Sequence, residues 1–192
     1  MEVVPMSFSP LRFSSLAVLL ALSSTAYGQV ASSAKADAPL AVNYVAATER
    51  IHTAGQPDAA TLATLGERGF ELVVNLAPPN NQGAVPEEGK LVAEDGPTYV
   101  NIPVNWQKPT HEDFAIFSAV MNGARDRKVL VHCQLNMRAS AFTFLYRVIE
   151  EHVPPEQAME ALRAVWIPRD QWAAFTADEL KRHNIDFALP KP

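Results

Sequence analysis

The stretch Phe70-Glu71-Leu72-Val73-Val74-Asn75-Leu76 is apolar at consecutive positions rather than alternate ones. A strand with one wet face alternates, whereas a strand buried on both faces runs apolar throughout. Such a strand needs cover on each side, and helical segments supply it. Residues 58–68 read as a helix with Gly69 as its C′ residue. Residues 86–95 form a short one. Thr110 and Asp113 make a capping box that opens a helix to residue 125, with Phe114, Phe117 and Met121 on one face. Three more helices are predicted over 139–151, 154–165 and 171–181. Strands at 50–53, 98–103 and 129–131 alternate with them. This order predicts an α/β fold, a mainly parallel central sheet flanked by helices on both faces. There is no internal repeat, and residues 43–190 suit one domain.

The N-terminus belongs outside that fold. Arg12 precedes a short apolar run over 13–22, and Ala26-Tyr27-Gly28 puts small residues at the −3 and −1 positions of a cleavage site. Residues 1–28 therefore read as a signal peptide cut after Gly28, and 29–42 as a flexible Ala- and Ser-rich leader. The expectation is an exported, periplasmic protein that leaves the membrane once cleaved. An anchoring helix would need about 20 apolar residues, roughly twice this run. A net charge of −5 with no Lys/Arg run argues against nucleic-acid binding.

The chain has one cysteine, Cys133. It cannot staple its own fold, so it is either a buried small hydrophobe or a reactive thiol. Its setting is His132-Cys133-Gln134-Leu135-Asn136-Met137-Arg138-Ala139-Ser140, between an apolar strand and a strong helix. Loop amides that run into a helix N-terminus converge on one spot, where the helix dipole adds positive charge. Such a cradle holds an oxyanion or a thiolate, and Arg138 adds a clamp. Neither zinc-type His/Cys spacing nor any other metal motif is present, and no cofactor is implied.

The same residues resemble the signature of cysteine-dependent protein tyrosine and dual-specificity phosphatases. Thr53-Ala54-Gly55-Gln56-Pro57, Ile102-Pro103-Val104 and Pro109-Thr110-His111-Glu112-Asp113 resemble a bacterial branch, the beta-lactamase-hydrolase-like phosphatases. The similarity spans roughly residues 44–175. It implies a phosphatase-like fold, a phosphorylated substrate and a phosphocysteine at Cys133. By that resemblance Gln134, Leu135, Asn136, Met137 and Arg138 form the phosphate-binding loop, and Arg138 grips the equatorial oxygens. Ser140 eases thiolate departure. His132 either tunes the thiol by hydrogen bonding or is a satisfied strand-end histidine.

Two departures stand out. Four residues separate Cys133 from Arg138, where the family has five. Aligned without a gap, Asn136 replaces a glycine, Ala139 replaces the arginine, and Arg138 falls one place early, a rotation of about 100° on a helix. Asn tolerates the left-handed conformation that a glycine would supply. The family's general-acid Asp is matched by Asn105. Glu112 and Asp113 are candidate acids, but both sit where helix capping also explains them. Trp106 lines a substrate cleft or acts as an aromatic lid. Two other functions share these residues: a rhodanese-type sulfurtransferase with a persulfide on Cys133, whose loops are commonly one residue shorter, and a non-catalytic module that binds anions or a partner.

Overall fold

The strands β1 (Val45–Ala46), β2 (Ile51–Ala54), β3 (Leu72–Asn75), β4 (Thr98–Asn101) and β5 (Val129–His132) form one sheet in the order β1-β2-β5-β3-β4. This is a computed structural model, and it describes Met1 and residues 39–191. The signal segment, its cleavage point and most of the leader lie outside the described residues. The β1–β2 pair is antiparallel, and every other pairing is parallel. β2, β3 and β5 are buried at all four positions each, the polar His52, Thr53, Asn75 and His132 included.

Helices cover both faces. Leu72, Val74, Val129 and Val131 face one cluster, with Phe114 and Phe117 of α3 (His111–Asn122), Phe142 of α4 (Met137–Ile149), Leu162 of α5 (Pro155–Arg163) and Trp172 of α6 (Asp170–Arg182). Val73 and Leu130 face the other, with Leu62 of α1 (Ala59–Leu62) and Val92 of α2 (Glu88–Glu94). α4 is the central helix: from Arg138 onward every residue is buried. Full burial of one such apolar side chain is worth about 1.5–3 kcal/mol, so this helix anchors the layer.

Element boundaries moved in two informative places. The helix expected over 58–68 holds only the α1 turn and then breaks into hydrogen-bonded turns. The turns lead into Gly66, whose N–H donates to the Asp95 carboxylate and where an added Cβ would collide with Asp95 O. The chain is held against the end of α2 there, so a regular helix cannot continue. Gly69 does take the left-handed conformation of a C′ residue, at φ +79°. The leader also ends earlier than expected. Leu40 is buried in the second cluster, and Val45–Ala46 add an edge strand too short to leave a periodic signal. Among the described residues no helix is long and apolar enough to cross a membrane.

Sheet order places the next feature. The chain steps from β3 outward to β4, then returns to the other side of β3 to lay β5 beside β2. Ligands of open α/β sheets bind beyond the carboxyl ends of strands at such a reversal. Cys133 is the residue that follows β5 there.

Candidate active site

The loop after β5 is held from three sides. Cys133 N–H donates to Ala54 O at 3.3 Å, and Gln56 N–H to Gln134 O at 3.1 Å. Asn43 Nδ2 donates to Leu135 O at 3.0 Å. Asn136 closes the loop with φ +68° and donates from Nδ2 to Asn43 O (2.5 Å) and Thr53 Oγ1 (3.0 Å). Gly55 must be glycine, because a Cβ would meet Val42 Cγ1 at 2.4 Å and Gln134 O at 2.9 Å. Asn136 stands at the N-cap of α4 yet makes no side-chain cap, and the first turn carries no acid. The opening amides of a thirteen-residue helix are thus left to the site.

Arg138 points into that site. It is 6 % exposed, and its Nε and Nη1 have no hydrogen-bond partner among the described residues. Burial pushes its pKa down, offset in part by its electrostatic interaction with Cys133. The guanidinium carbon lies 5.9 Å from the centre of the Trp106 ring. A pocket of about 310 Å³ results, with Cys133, Gln134, Leu135, Met137 and Arg138 on one side and Asn81 and Trp106 on the other. Trp106 is fixed: its carbonyl accepts from Trp172 Nε1 at 2.9 Å and Gln171 Nε2 at 3.2 Å. Its ring packs on those of Trp166 and Trp172. Trp166 Nε1 in turn donates to Met137 O at 3.2 Å. The wall and the loop are therefore one hydrogen-bonded unit.

Other candidates lie elsewhere. Ser140 donates from Oγ to Met137 O at 3.2 Å and does not line the pocket. His132 is fully buried on the opposite sheet face, with Nε2 2.7 Å from Glu88 Oε1 in an ion-pair contact that makes no hydrogen bond. Of the two readings open for it, direct tuning of the thiol finds no hydrogen bond to Cys133, because successive strand residues point to opposite faces. Asp113 is spent in the capping box, where Thr110 N–H donates to its Oδ2 at 3.0 Å and its own N–H to Thr110 Oγ1 at 3.1 Å. Glu112 is exposed, Asn105 accepts from Gln107 N–H, and neither lines the pocket. Asn81, Asn43 and Glu88 are contributors that sequence reasoning missed. Among the described residues no group of three His, Cys, Asp or Glu is placed to hold a metal.

A solved structure of a DUF442 phosphatase candidate from Shewanella putrefaciens CN-32 is 33 % identical to this chain, covers 74 % of it and 93 % of its own length, and superposes with a TM-score of 0.67. The chain belongs to the DUF442 family. The kinase associated phosphatase (KAP) shares the fold at 13 % identity, over 79 % of this chain and 99 % of its own, with a TM-score of 0.63. So does the core catalytic domain of the PP-IP phosphatase SIW14 from S. cerevisiae, at 13 % identity over 78 % and 88 %, with a TM-score of 0.59. This DUF442 chain therefore has the fold of these phosphatases. No family model matches it, and no curated protein does. In this DUF442 member the early arginine is not displaced from the site. With only four residues before it, Arg138 still lines the pocket with Cys133.

Proposed function

We propose that the protein hydrolyses phosphomonoesters through a phosphocysteine at Cys133. The observation that carries this reading is Arg138, a buried guanidinium with two nitrogens unpartnered among the described residues, in the same pocket as the thiol. Buried donors of this kind are costly unless an anion occupies them, and a planar fork suits phosphate oxygens. The Cys133 thiolate attacks phosphorus, an S–P bond forms, and the P–O ester bond breaks as the alcohol oxygen leaves with its electron pair. That oxygen takes a proton from water. A second water attacks phosphorus and gives a proton to the hydroxide left by the first, the S–P bond breaks with its electron pair staying on sulfur, and phosphate is released as the thiolate is restored. Arg138 and the opening amides of α4 stabilise the charge that builds on the equatorial oxygens.

Phosphate release from an aryl phosphate under reducing conditions tests the reading, because that leaving group needs little acid help. Wild type is expected to turn over. Cys133→Ser should abolish release, and Arg138→Ala should lower kcat by roughly 10²–10³-fold. A Cys133→Ser protein with full activity would exclude the mechanism.

The rhodanese-type alternative has one observation in its favour. Among the described residues no carboxylate lines the pocket, and sulfane-sulfur transfer to a thiolate needs no acid for an alcohol leaving group. Persulfide formation on Cys133 with thiosulfate, in a protein that releases no phosphate, would select it. Phosphate binding without turnover in either assay would select the binding module.

A further inference from the structure

One carboxylate gathers three strand ends behind the pocket. Glu88 opens α2 on the sheet face opposite α4 and is 6 % exposed. Its Oε1 stands 2.7 Å from Nε2 of His132, the last residue of β5. Its Oε2 accepts from Gln56 Nε2 at 3.1 Å, just past β2, and from Asn75 Nδ2 at 3.3 Å, the last residue of β3. These are the three adjacent strands whose ends support the Cys133 loop. The network extends outward, since Asn75 Nδ2 also donates to Tyr99 Oη at 3.1 Å. Burial first, and then the Glu88 charge, push the Tyr99 phenol up to about 12.

Glu88 does not line the pocket, yet two routes lead from it to the thiol's loop. His132 is joined to Cys133 by a peptide bond. Gln56 donates its backbone N–H to Gln134 O. A buried carboxylate is expensive unless polar partners surround it, and here the partners are all site-facing strand ends. Retaining it for stability alone is a poor bargain, because apolar residues of similar size often serve as well.

We propose that Glu88 is a positioning residue for the chemistry at Cys133, setting the attitude of the loop through His132 and Gln56. The proposal rests on the reading of Cys133 as the nucleophile. Misplacing reacting atoms by about 1 Å costs on the order of 10²-fold in rate with little change in binding.

The test uses the full chain as wild type, Glu88→Gln, His132→Gln and the double variant. One readout is kcat and KM on an aryl phosphate. The other is the rate of Cys133 alkylation by iodoacetamide at fixed pH, which needs no turnover. Glu88→Gln is expected to lose roughly 10–100-fold in kcat with KM within about threefold. Its alkylation rate should fall at least about threefold, and the double variant should lose less than the product of the two single losses, since both substitutions disturb the Glu88–His132 contact. A folded Glu88→Gln protein within about twofold of wild type in both readouts would overturn the proposal, as would losses that multiply in the double variant. If wild type releases no phosphate, the phosphatase reading fails. The alkylation comparison then still decides Glu88: a slowed rate supports positioning, and an equal rate overturns it. If Glu88→Gln does not fold, Gln56→Leu carries the test, with a smaller kcat-selective loss expected and an unchanged kcat overturning the proposal.

Discussion

At Asn136 the chain turns from loop to helix through a left-handed backbone that costs most side chains about 1–2 kcal/mol. Asn136→Gly keeps that turn but gives up the donated bonds to Asn43 O and Thr53 Oγ1. Asn136→Ala loses the turn preference as well. The Gly variant should be destabilised by about 1–2 kcal/mol and the Ala variant by about 2–4 kcal/mol, measured by urea unfolding. Phosphate affinity should fall in the same order. Cys133, Arg138 and Asn136 were legible in the sequence because a strand, a loop and a helix follow one another within ten residues and each leaves a local pattern. Glu88 and Asn43 left none. They reach the site across 32 and 93 residues of chain, and nothing local in the sequence reports a contact at that range. His132 was legible as a site neighbour but not in its direction, which depends on the sheet face that Cys133 takes.

Helix α3 shows how far local rules reach. Its capping box is formed as Thr110 and Asp113 imply, because it depends on four consecutive residues and nothing distant. Thr110→Ala should cost about 1 kcal/mol and lower Tm by several degrees in thermal unfolding. The same box removes Asp113 from the list of acids, since its carboxylate already accepts from the Thr110 N–H. α1 shows the opposite case. A good helical pattern over 58–68 yields to Gly66, whose partner Asp95 lies 29 residues on. The loop carrying Trp106 was also open in sequence, as cleft or as lid. It is a wall of the pocket and part of an aromatic cluster at once, because the backbone carbonyl of Trp106 is tied to α6.

For the whole molecule, the α/β class was legible because two of the strands are apolar on both faces and cannot sit at a surface. Where the packed chain begins was not. Leu40 is 4 % exposed among Ala54, Leu62 and Leu65, so the fold starts upstream of residue 43. Leu40→Ala should cost about 2–3 kcal/mol in urea unfolding, whereas a true leader residue would cost nothing. Strand order was hidden too, since β5 is the last strand in sequence and yet lies at the centre of the sheet. That arrangement bears on how the protein is made. Until β5 is synthesised, the β1–β2 and β3–β4 pairs have no strand to join them, because β5 pairs with both β2 and β3. Parallel pairings between distant segments close slowly, and open edges invite pairing with other chains. The strand that seals those edges is the one that delivers the cysteine. Newly made chains are therefore most prone to aggregate before they can react, and the nucleophile is set in place by the same event that ends the exposure.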